Sequence, residues 1–185
     1  MSIRIYGNRL LQTVPGLATR PTPARVRESV FNILQDRIQG SRWLDLCSGA
    51  GTMGAEALCR GAIEVVGIEN SRAACRVIRA NWEKVVLNLH PQPTFRLIQA
   101  DVRQTIQRDK LLGIFDIIYF DPPYSAGLYD TVIPGLVPWL DPEGILMVEH
   151  RSSEPLQTHC NPLSVNKTYV YGTTSLTCFS PNAPQ

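Results

Sequence analysis

The segment Asp121-Pro122-Pro123-Tyr124 carries the residue types best suited to chemistry on an amine. It follows residues 115–120, an apolar run typical of a buried strand in a parallel sheet. Because neither proline has an N–H to give to a sheet, the chain must turn at Asp121. Carboxylate and carbonyl oxygens would accept hydrogen bonds from an exocyclic amine, and the aromatic ring would stack on a flat heterocycle. We therefore take Asp121, Pro122 and Tyr124 as catalytic candidates; a plain strand-ending turn with a helix cap is the alternative.

A second group of candidates surrounds a glycine loop that follows the first long apolar strand. Gly49, Gly51 and Gly54 match the Gly-x-Gly-x-x-Gly spacing of a cofactor-binding loop, and Glu69 ends the next strand. Glycines allow the backbone to approach a cofactor closely, and an acidic residue at the strand end can hold ribose hydroxyls. Asp101, after the third strand, adds an acceptor for an adenine amine. A glycine turn that serves only tight strand–helix packing is the alternative without a ligand.

This loop is shared by nicotinamide enzymes and by methyltransferases that use S-adenosyl-L-methionine. Asp45 and Ser48 make the turn polar, whereas a pyrophosphate favours an approach to a helix N-terminus that is free of anions. Asp101 could accept from the adenine amine. The turn at Asp121 gives a reason to bind an amine, and a hydride-transfer enzyme has none. The residues therefore favour S-adenosyl-L-methionine as the cofactor.

The remaining sequence predicts the elements that position these residues. Apolar runs predict parallel strands at residues 43–47, 63–68, 94–100, 115–120 and 145–149. Helical patterns fall between them at residues 52–60, 72–86, 102–110 and 128–140, the last interrupted by Pro134 and Pro138. This alternation indicates an α/β fold with a doubly wound, mostly parallel sheet, whose ligands lie at the carboxyl ends of the strands.

The end of the chain departs from the alternation. Residues 164–171 and 174–180 are strand-like runs separated by Gly172 and Thr173, which predicts a β-hairpin. The last strand is therefore expected to lie antiparallel at the edge of the sheet. Glu149 and His150, at the end of the preceding strand, are interpreted as sheet-edge polarity.

The first 40 residues predict a basic N-terminal extension packed on a core of residues 41–185. Short β-like pieces are followed by a helix that is expected to have Thr22 as its N-cap and to end at Gly40. Residues 1–42 carry seven arginines against two acidic residues, whereas the rest of the chain is slightly acidic. This asymmetry favours a polyanionic partner that faces the basic arm.

The composition excludes several classes of protein. With 44% hydrophobic and 18% charged residues, the chain is typical of a soluble globular protein. No apolar run approaches the ~20 residues of a membrane helix, and the first residues lack a signal-peptide pattern, which predicts a cytoplasmic protein. The five cysteines form no C-x-x-C pair and the three histidines have no ligand spacing, so neither a disulfide framework nor a metal site is expected.

Residues 20–34 resemble the R-P-T-x-x-R-V-R-E-x-x-F-N-x-L signature of RsmD-type 16S rRNA (guanine-N2) methyltransferases. The resemblance continues through residues 44–58, 67–70, 99–102 and 115–124, and ends at residues 167–176, which are similar to that family's terminal K-x-Y-G-x-T-x-L hairpin. It implies a class I, Rossmann-like methyltransferase that transfers a methyl group from S-adenosyl-L-methionine to the exocyclic N2 amine of a guanine. The implied partner is 16S rRNA within a small-subunit particle, and the implied enzyme is a monomer.

The resemblance also implies roles for single residues. Glu69 would hold the ribose hydroxyls, while the Asp101 carboxylate and the Val102 N–H would bind the adenine. The implied cofactor-binding residues are Asp45, Ser48, Gly49, Gly51, Glu69, Asn70, Asp101 and Val102. The implied RNA contacts from the basic arm are Arg20, Arg25 and Arg27. Asp121 and the Pro122 carbonyl would orient the amine and bind it more strongly as it becomes cationic, so no strong general base is required.

Other functions stay open on the sequence alone. A DNA adenine-N6 methyltransferase uses the same turn, but 185 residues leave no room for a separate target-recognition region. A protein-glutamine N5 methyltransferase normally has asparagine in place of Asp121. A nicotinamide oxidoreductase would explain the glycine spacing, and a non-catalytic RNA-binding protein would explain the arginines.

Overall fold

The computed structural model describes residues 2–14, 23–108, 113–156, 159–160 and 162–182. The strands in these ranges are β1 (Ser2–Ile5), β2 (Arg9–Gln12), β3 (Arg42–Leu46), β4 (Glu64–Glu69), β5 (Thr94–Gln99), β6 (Phe115–Phe120), β7 (Leu140–Arg151), β8 (His159–Cys160), β9 (Leu163–Tyr171) and β10 (Thr174–Pro181). The α-helices are α1 (Ala24–Ile33), α2 (Thr52–Cys59), α3 (Arg72–Val86), α4 (Val102–Arg108) and α5 (Tyr129–Val132). The predicted alternation of strands and helices is confirmed.

The main sheet has the strand order β5-β4-β3-β6-β7-β10-β9-β8. Strands β3 to β7 pair in parallel, and β10 pairs antiparallel with both β7 and β9. The doubly wound sheet with an antiparallel hairpin at its edge is therefore confirmed. The placement of the last strand at the edge is wrong, because β10 lies between β7 and β9. Its residues are buried from Thr174 to Phe179, whereas most residues of β9 are not, so burial places β10 inside.

Both faces of the parallel strands are buried, which is why these strands are continuous apolar runs rather than alternating ones. Trp43 and Val65 on one face belong to a hydrophobic core that includes residues of α1, α2 and α3. The next residues along the same strands, Leu44 and Val66, face a second core that includes residues of α4 and α5. The sheet is thus held rigidly between two layers, and its carboxyl ends are fixed relative to one another.

The N-terminal residues form an antiparallel hairpin of β1 and β2, followed by α1. Ile5, Leu11 and Phe31 from these elements join the core on the α1–α3 side of the sheet. Asn81 of α3 holds the hairpin, because its Oδ1 accepts from the Gln12 N–H at 2.8 Å and its Nδ2 donates to the Gln12 carbonyl at 3.0 Å. The extension shares one core with the sheet, and its separation from residues 41–185 as a unit stays a prediction.

Helix α1 is shorter than predicted. It ends at Ile33 rather than at Gly40, and Leu34 follows it with φ −96° and ψ 5°. Residues 34–40 form turns in which Leu34 and Ile38 are nevertheless buried. Apolar residues four positions apart suit such turns as well as a helix, so spacing alone did not mark the helix end. Thr22, the predicted N-cap, lies outside the described residues.

Strand β7 begins five residues earlier than predicted, at Leu140. Phe115 of β6 pairs with Leu140, and Ile117 pairs with Ile145, so an irregularity in the pairing accommodates the extra residues of β7. Pro142 lies in this irregular part, which hid the strand from a pattern that treats proline as a strand breaker.

The helical segment before β7 is divided as the prolines predicted. Helix α5 covers one turn, and a 3-10 segment, Ile133–Trp139, continues from it with Pro134 in its first turn and Pro138 inside it. Proline lacks the N–H that a longer α-helix requires. No helix within the described ranges is long and apolar enough to cross a membrane.

Candidate active site

Four carboxylates converge where the parallel strands end. Burial raises the pKa of the Cys47 thiol, and the negative charges of Glu69, Asp121, Asp45 and Asp101 raise it further. These carboxylates belong to the ends of β3, β4, β5 and β6 or to the residues that follow them. The fold therefore brings the predicted cofactor and catalytic carboxylates to one acidic region, as expected for neighbouring parallel strands.

The loop between β3 and α2 is shaped by left-handed backbone conformations. Cys47, Gly49 and Gly51 have φ angles of 60°, 57° and 71°. This region is uncommon for a residue other than glycine, so Cys47 is held there by its surroundings. The Ser48 hydroxyl donates to the Asp45 carbonyl at 2.8 Å, and the Gly51 N–H donates to the Ser48 carbonyl at 2.7 Å. The loop is thus fixed by its own hydrogen bonds.

The glycines of the loop differ in what they contact. A Cβ on Gly49 would meet little, its nearest neighbour being the Cys47 carbonyl at 4.0 Å, whereas a Cβ on Gly51 would lie 2.8 Å from Trp82 Nε1. A Cβ on Gly54 would lie 2.4 Å from the same indole ring. Trp82 also donates from Nε1 to the Gly51 carbonyl at 2.7 Å. Gly51 and Gly54 therefore make room for Trp82, and Gly49 is the loop glycine that leaves space for a ligand.

Glu69 is the best-placed carboxylate for ligand hydroxyls. It is only 8% exposed, and its oxygens accept from the Gly49 N–H at 2.9 Å and from the Ser71 N–H at 2.8 Å. Each carboxylate oxygen can accept a further hydrogen bond. Two backbone donors therefore fix the group without saturating it. Asn70, which follows Glu69, is exposed at the end of β4.

The side chains of Asp45 and Ser48 are buried rather than exposed on the loop surface. Asp45 is 2% exposed, and its Oδ2 accepts from the Gly54 N–H at 3.0 Å. Burial raises the pKa of Asp45 to about 7, and the negative charge of Glu69 acts in the same direction. Ser48 is buried as well. Both residues support the loop from inside, and a direct contact of either with a cofactor stays a prediction.

Asp101 has a partner that the sequence did not reveal. Arg103 donates from Nε to Asp101 Oδ1 at 3.1 Å and from NH2 to Oδ2 at 2.8 Å, and its backbone N–H donates to Oδ1 at 2.8 Å. These bonds, above all the one from the guanidinium, lower the pKa of Asp101. The carboxylate thus stays ionised as an acceptor. Val102, the first residue of α4, lies in the first turn, where N–H groups lack partners within a helix.

The Asp-Pro-Pro-Tyr turn closes the other side of the acidic region. Asp121 is partly exposed, Pro122 is buried, and Tyr124 begins a short 3-10 turn. The Tyr124 ring is half-buried, and the guanidinium carbon of Arg151 lies 5.3 Å from its centroid. Arg151 is itself exposed and is a cation beside the turn that sequence reasoning missed, because the contact joins β7 to the residues after β6.

Glu149 and His150 are not sheet-edge polarity, because β7 lies between β6 and β10. Glu149 is 3% exposed, and the Tyr119 hydroxyl donates to its Oε2 at 2.6 Å. The Nε2 of His150 lies 2.9 Å from the Thr177 hydroxyl on β10. The earlier interpretation failed because β10 covers a strand that the sequence placed near the sheet edge.

The three predicted RNA contacts have different outcomes. Arg25 is exposed on α1, as an RNA contact requires, and Arg20 lies outside the described residues. The prediction for Arg27 is wrong, because this residue is 5% exposed. Its Nε donates to Glu56 Oε2 at 2.6 Å, and its NH2 donates to the Arg4 carbonyl at 2.8 Å. A buried cation requires such partners, so Arg27 serves the packing of α1.

The similarity of this chain to known proteins agrees with the geometry of the site. The family model described as Conserved hypothetical protein 95 matches residues 3–180. The chain belongs to this family. Among the chain's relatives within curated proteins, Ribosomal RNA small subunit methyltransferase D from Escherichia coli is 30% identical over 160 residues, which cover 85% of this chain and 76% of that protein. The protein of the same name from Haemophilus influenzae is 28% identical, over 83% of this chain and 79% of its own length.

A solved structure agrees with this family assignment. The Escherichia coli protein yhhF has a TM-score of 0.84 and 30% identity, with full coverage of both chains. The resemblance to RsmD-type methyltransferases is confirmed, and so is the class I, Rossmann-like fold. Within the described residues of this family member, no cluster of three or more histidine, cysteine or acidic side chains is arranged to hold a metal ion.

Proposed function

We propose that this protein transfers the methyl group of S-adenosyl-L-methionine to the N2 amine of a guanine in 16S rRNA. The observation that carries the proposal is that the glycine loop and the Asp-Pro-Pro-Tyr turn follow β3 and β6, neighbouring parallel strands whose last residues, Leu46 and Phe120, pair. Glu69 and Asp101 lie at the same edge, at the ends of the next two strands. Relatives over most of the chain are named as small-subunit rRNA methyltransferases. The protein is therefore an S-adenosyl-L-methionine-dependent rRNA methyltransferase.

The charge of the region fits this cofactor. S-adenosyl-L-methionine carries a sulfonium and an ammonium group against one carboxylate, so its net charge is positive. The carboxylates of Glu69, Asp101 and Asp121 near Cys47 would attract that charge. They would repel the pyrophosphate of a nicotinamide dinucleotide, which prefers a helix N-terminus free of anions. The chemistry of the acceptors therefore favours the sulfonium cofactor over the dinucleotide that the glycine spacing also allows.

Each part of the cofactor has a matching group on the chain. The free acceptor capacity of Glu69 suits the ribose hydroxyls, since its two backbone donors leave lone pairs available. Asp101 suits the adenine amine, with the Val102 N–H beside it for a ring nitrogen. The open space over Gly49 suits the methionine part. When bound, the cofactor supplies the methyl group and the sulfonium leaving group.

The Asp-Pro-Pro-Tyr turn, residues 121–124, is the acceptor turn that would orient the guanine amine. Its lone pair is delocalised into the ring, so the amine must be rotated before it can attack. Asp121 and the Pro122 carbonyl would accept from its N–H groups and direct the lone pair towards the methyl group. As the nitrogen becomes cationic these hydrogen bonds strengthen, which stabilises the transition state more than the bound substrate. The Tyr124 ring would stack on the base, at ~1–3 kcal/mol for a stack of this kind.

Delivery of the base requires a contact with the RNA backbone. We assign it to Arg25 on α1 and to Arg151 beside the Tyr124 ring, both of which are exposed cations. Phosphate contacts of this type position the RNA without reading its sequence. A few exposed cations suit a folded RNA better than a flexible strand, so we propose a small-subunit particle as the substrate. We also propose that the enzyme is a monomer and that it acts in the cytoplasm.

The proposal is tested by methyl transfer to small-subunit rRNA from a strain that lacks this gene. Purified protein is incubated with radiolabelled S-adenosyl-L-methionine and either small-subunit particles or free 16S rRNA, and the labelled nucleoside is identified by digestion and mass spectrometry. We expect N2-methylguanosine at one position, formed faster on the particle. Label in adenine, label in protein, or no label in either substrate would contradict the proposal.

A further inference from the structure

One buried carboxylate beside the acceptor turn has no part in the chemistry described above. Three tyrosine hydroxyls converge on this residue, Glu149. The Tyr119 hydroxyl donates to Oε2 at 2.6 Å, and the Tyr124 hydroxyl lies 3.5 Å from Oε1. The Tyr129 hydroxyl donates to the Glu149 backbone carbonyl at 3.1 Å. All three tyrosines come from one stretch of chain that contains the acceptor turn.

The sheet register explains why these groups meet. Phe120, the last residue of β6, pairs with Val148 of β7. The next residues along the chain are Asp121 and Glu149, so Glu149 lies in β7 at the level where the turn leaves β6. Tyr119 precedes the turn, Tyr124 belongs to it, and Tyr129 begins the helix after it. Glu149 therefore contacts the chain before, within and after the turn.

A carboxylate in this position is costly unless it is well hydrogen-bonded. Glu149 is 3% exposed, and burial raises the pKa of its carboxyl group. Hydroxyl donors to an ionised carboxylate form short, strong hydrogen bonds, as the 2.6 Å contact from Tyr119 illustrates. An apolar side chain would avoid the desolvation penalty but would hold none of the hydroxyls. The carboxylate thus contributes position rather than general stability.

We propose that Glu149 is a positioning residue for methyl transfer, which fixes the Tyr124 ring and the acceptor turn through the tyrosine hydroxyls. This inference rests on the proposed function, in which Tyr124 stacks on the target base and Asp121 orients its amine. Glu149 acts through Tyr119 and Tyr124 and does not itself contact the base. With the carboxylate in place, the ring and the turn are oriented before the RNA arrives.

The variant Glu149→Gln keeps the shape of the side chain but removes its charge and one of its two oxygen acceptors. A glutamine has nearly the same volume, but it offers one oxygen acceptor where the carboxylate offers two. It can no longer accept from Tyr119 and Tyr124 on different oxygens, so one hydroxyl must rotate and accept from the amide instead. We expect the single-turnover rate to fall 10- to 100-fold. The affinities for S-adenosyl-L-methionine and for RNA should each change less than threefold.

Tyrosine variants and a matched control show whether the effect passes through the hydroxyls. Tyr119→Phe and Tyr124→Phe retain the rings, and combining either with Glu149→Gln should lower the rate less than the product of the two single effects. Thr177→Val is the control, because it removes a buried hydroxyl on β10 that bonds to His150, the neighbour of Glu149 on β7, and leaves the turn untouched. Its melting temperature is expected to fall while its single-turnover rate stays within twofold of the parent rate.

Hydrogen exchange provides a measurement that does not depend on activity. The backbone N–H groups of residues 124–129 should exchange at least tenfold faster in Glu149→Gln than in the parent protein or in Thr177→Val. The inference would be overturned if exchange and rate were both unchanged in Glu149→Gln. It would also be overturned if the loss of rate were no larger than the loss of folded protein that the lower melting temperature explains. If the parent protein methylated no RNA but the exchange result held, the proposed function would fail while the structural role of Glu149 stood.

Discussion

The acidic region has a cofactor half, around Glu69, and an acceptor half, around the acceptor turn, and different kinds of hydrogen bond fix them. On the cofactor half, Glu69 is held by the backbone N–H groups of Gly49 and Ser71, and Asp45 by that of Gly54. On the acceptor half, a backbone bond from the Ala126 N–H to the Pro123 carbonyl is supplemented by side-chain hydroxyls that meet at Glu149. Backbone donors are part of the fold, whereas hydroxyls depend on single side chains. The cofactor half should therefore keep its shape in most variants, and the acceptor half should be sensitive to single substitutions.

The largest expected effect is on the acceptor half. Asp121→Ala should lower the single-turnover rate by about 100- to 1,000-fold, the range found when one transition-state hydrogen-bond partner is removed. Affinity for S-adenosyl-L-methionine, measured by calorimetry, should be nearly unchanged. Rapid-quench methyl transfer to the small-subunit particle gives the rate. A variant that kept its rate but lost RNA affinity would make the turn a docking element instead.

The comparison is sharpened by Glu69→Ala on the cofactor half. We expect weaker binding of S-adenosyl-L-methionine by ~1.5–3 kcal/mol, because charge-assisted hydrogen bonds are lost and two backbone donors are left without their acceptor. Glu69→Gln is the control, since its amide oxygen can still accept from one of those donors and should recover part of the affinity. Unchanged affinity in Glu69→Ala, measured by calorimetry, would remove Glu69 from the cofactor site.

A third test separates packing from ligand contact within the glycine loop. Gly51→Ala places a methyl group against Trp82 on a backbone that is also left-handed, so an overpacking cost of ~1–3 kcal/mol adds to a backbone cost of ~1–2 kcal/mol in the free energy of unfolding. Gly49→Ala meets open space, so only its left-handed backbone opposes the change, at roughly 1–2 kcal/mol. Gly49→Ala should therefore lose more cofactor affinity per unit of lost stability. Urea unfolding and calorimetry on both variants give the two quantities.

The smallest effect is expected outside both halves. Arg25→Ala should reduce the dependence of RNA affinity on salt by about one unit of slope, because one phosphate contact is lost. Arg37→Ala, on the turn after α1, is a matched control because the Arg37 side chain donates to the Glu143 carbonyl. Binding titrations at two salt concentrations measure the slopes. Equal slopes for Arg25→Ala and the parent protein would exclude Arg25 from the RNA interface.

Local sequence patterns predicted where Glu69 and Asp101 lie in the fold. Continuous apolar runs mark parallel strands, and the residues that end them must lie at one edge, so the positions of Glu69 and Asp101 follow from order along the chain. The contact between Gly51 and Trp82 could not be predicted from these patterns, because Trp82 lies on a helix distant along the chain. The pairing of Asp101 with Arg103 is local and depends on side-chain geometry that strand and helix patterns do not record.

Arg27 and Glu149 were misjudged for different physical reasons. Arg27 lies three and four positions before Val30 and Phe31, so it shares their helix face, and that spacing could have placed it inside. The position of Glu149 could not be derived in this way, because it depends on which strand becomes the second neighbour of β7. That choice is made by β10, whose pairing is distant along the chain.

The position of β10 in the sheet also affects how the protein folds during its synthesis. Strand β7 is paired on one side by β6, which precedes it, and on the other by β10, which begins 23 positions after Arg151, the last residue of β7. Until β10 has been made, the β7 edge that carries Glu149 has free N–H and C=O groups, and such an edge pairs readily with other chains. A chain that stopped at Tyr171 would contain every residue assigned here to cofactor and base, yet it would aggregate rather than work.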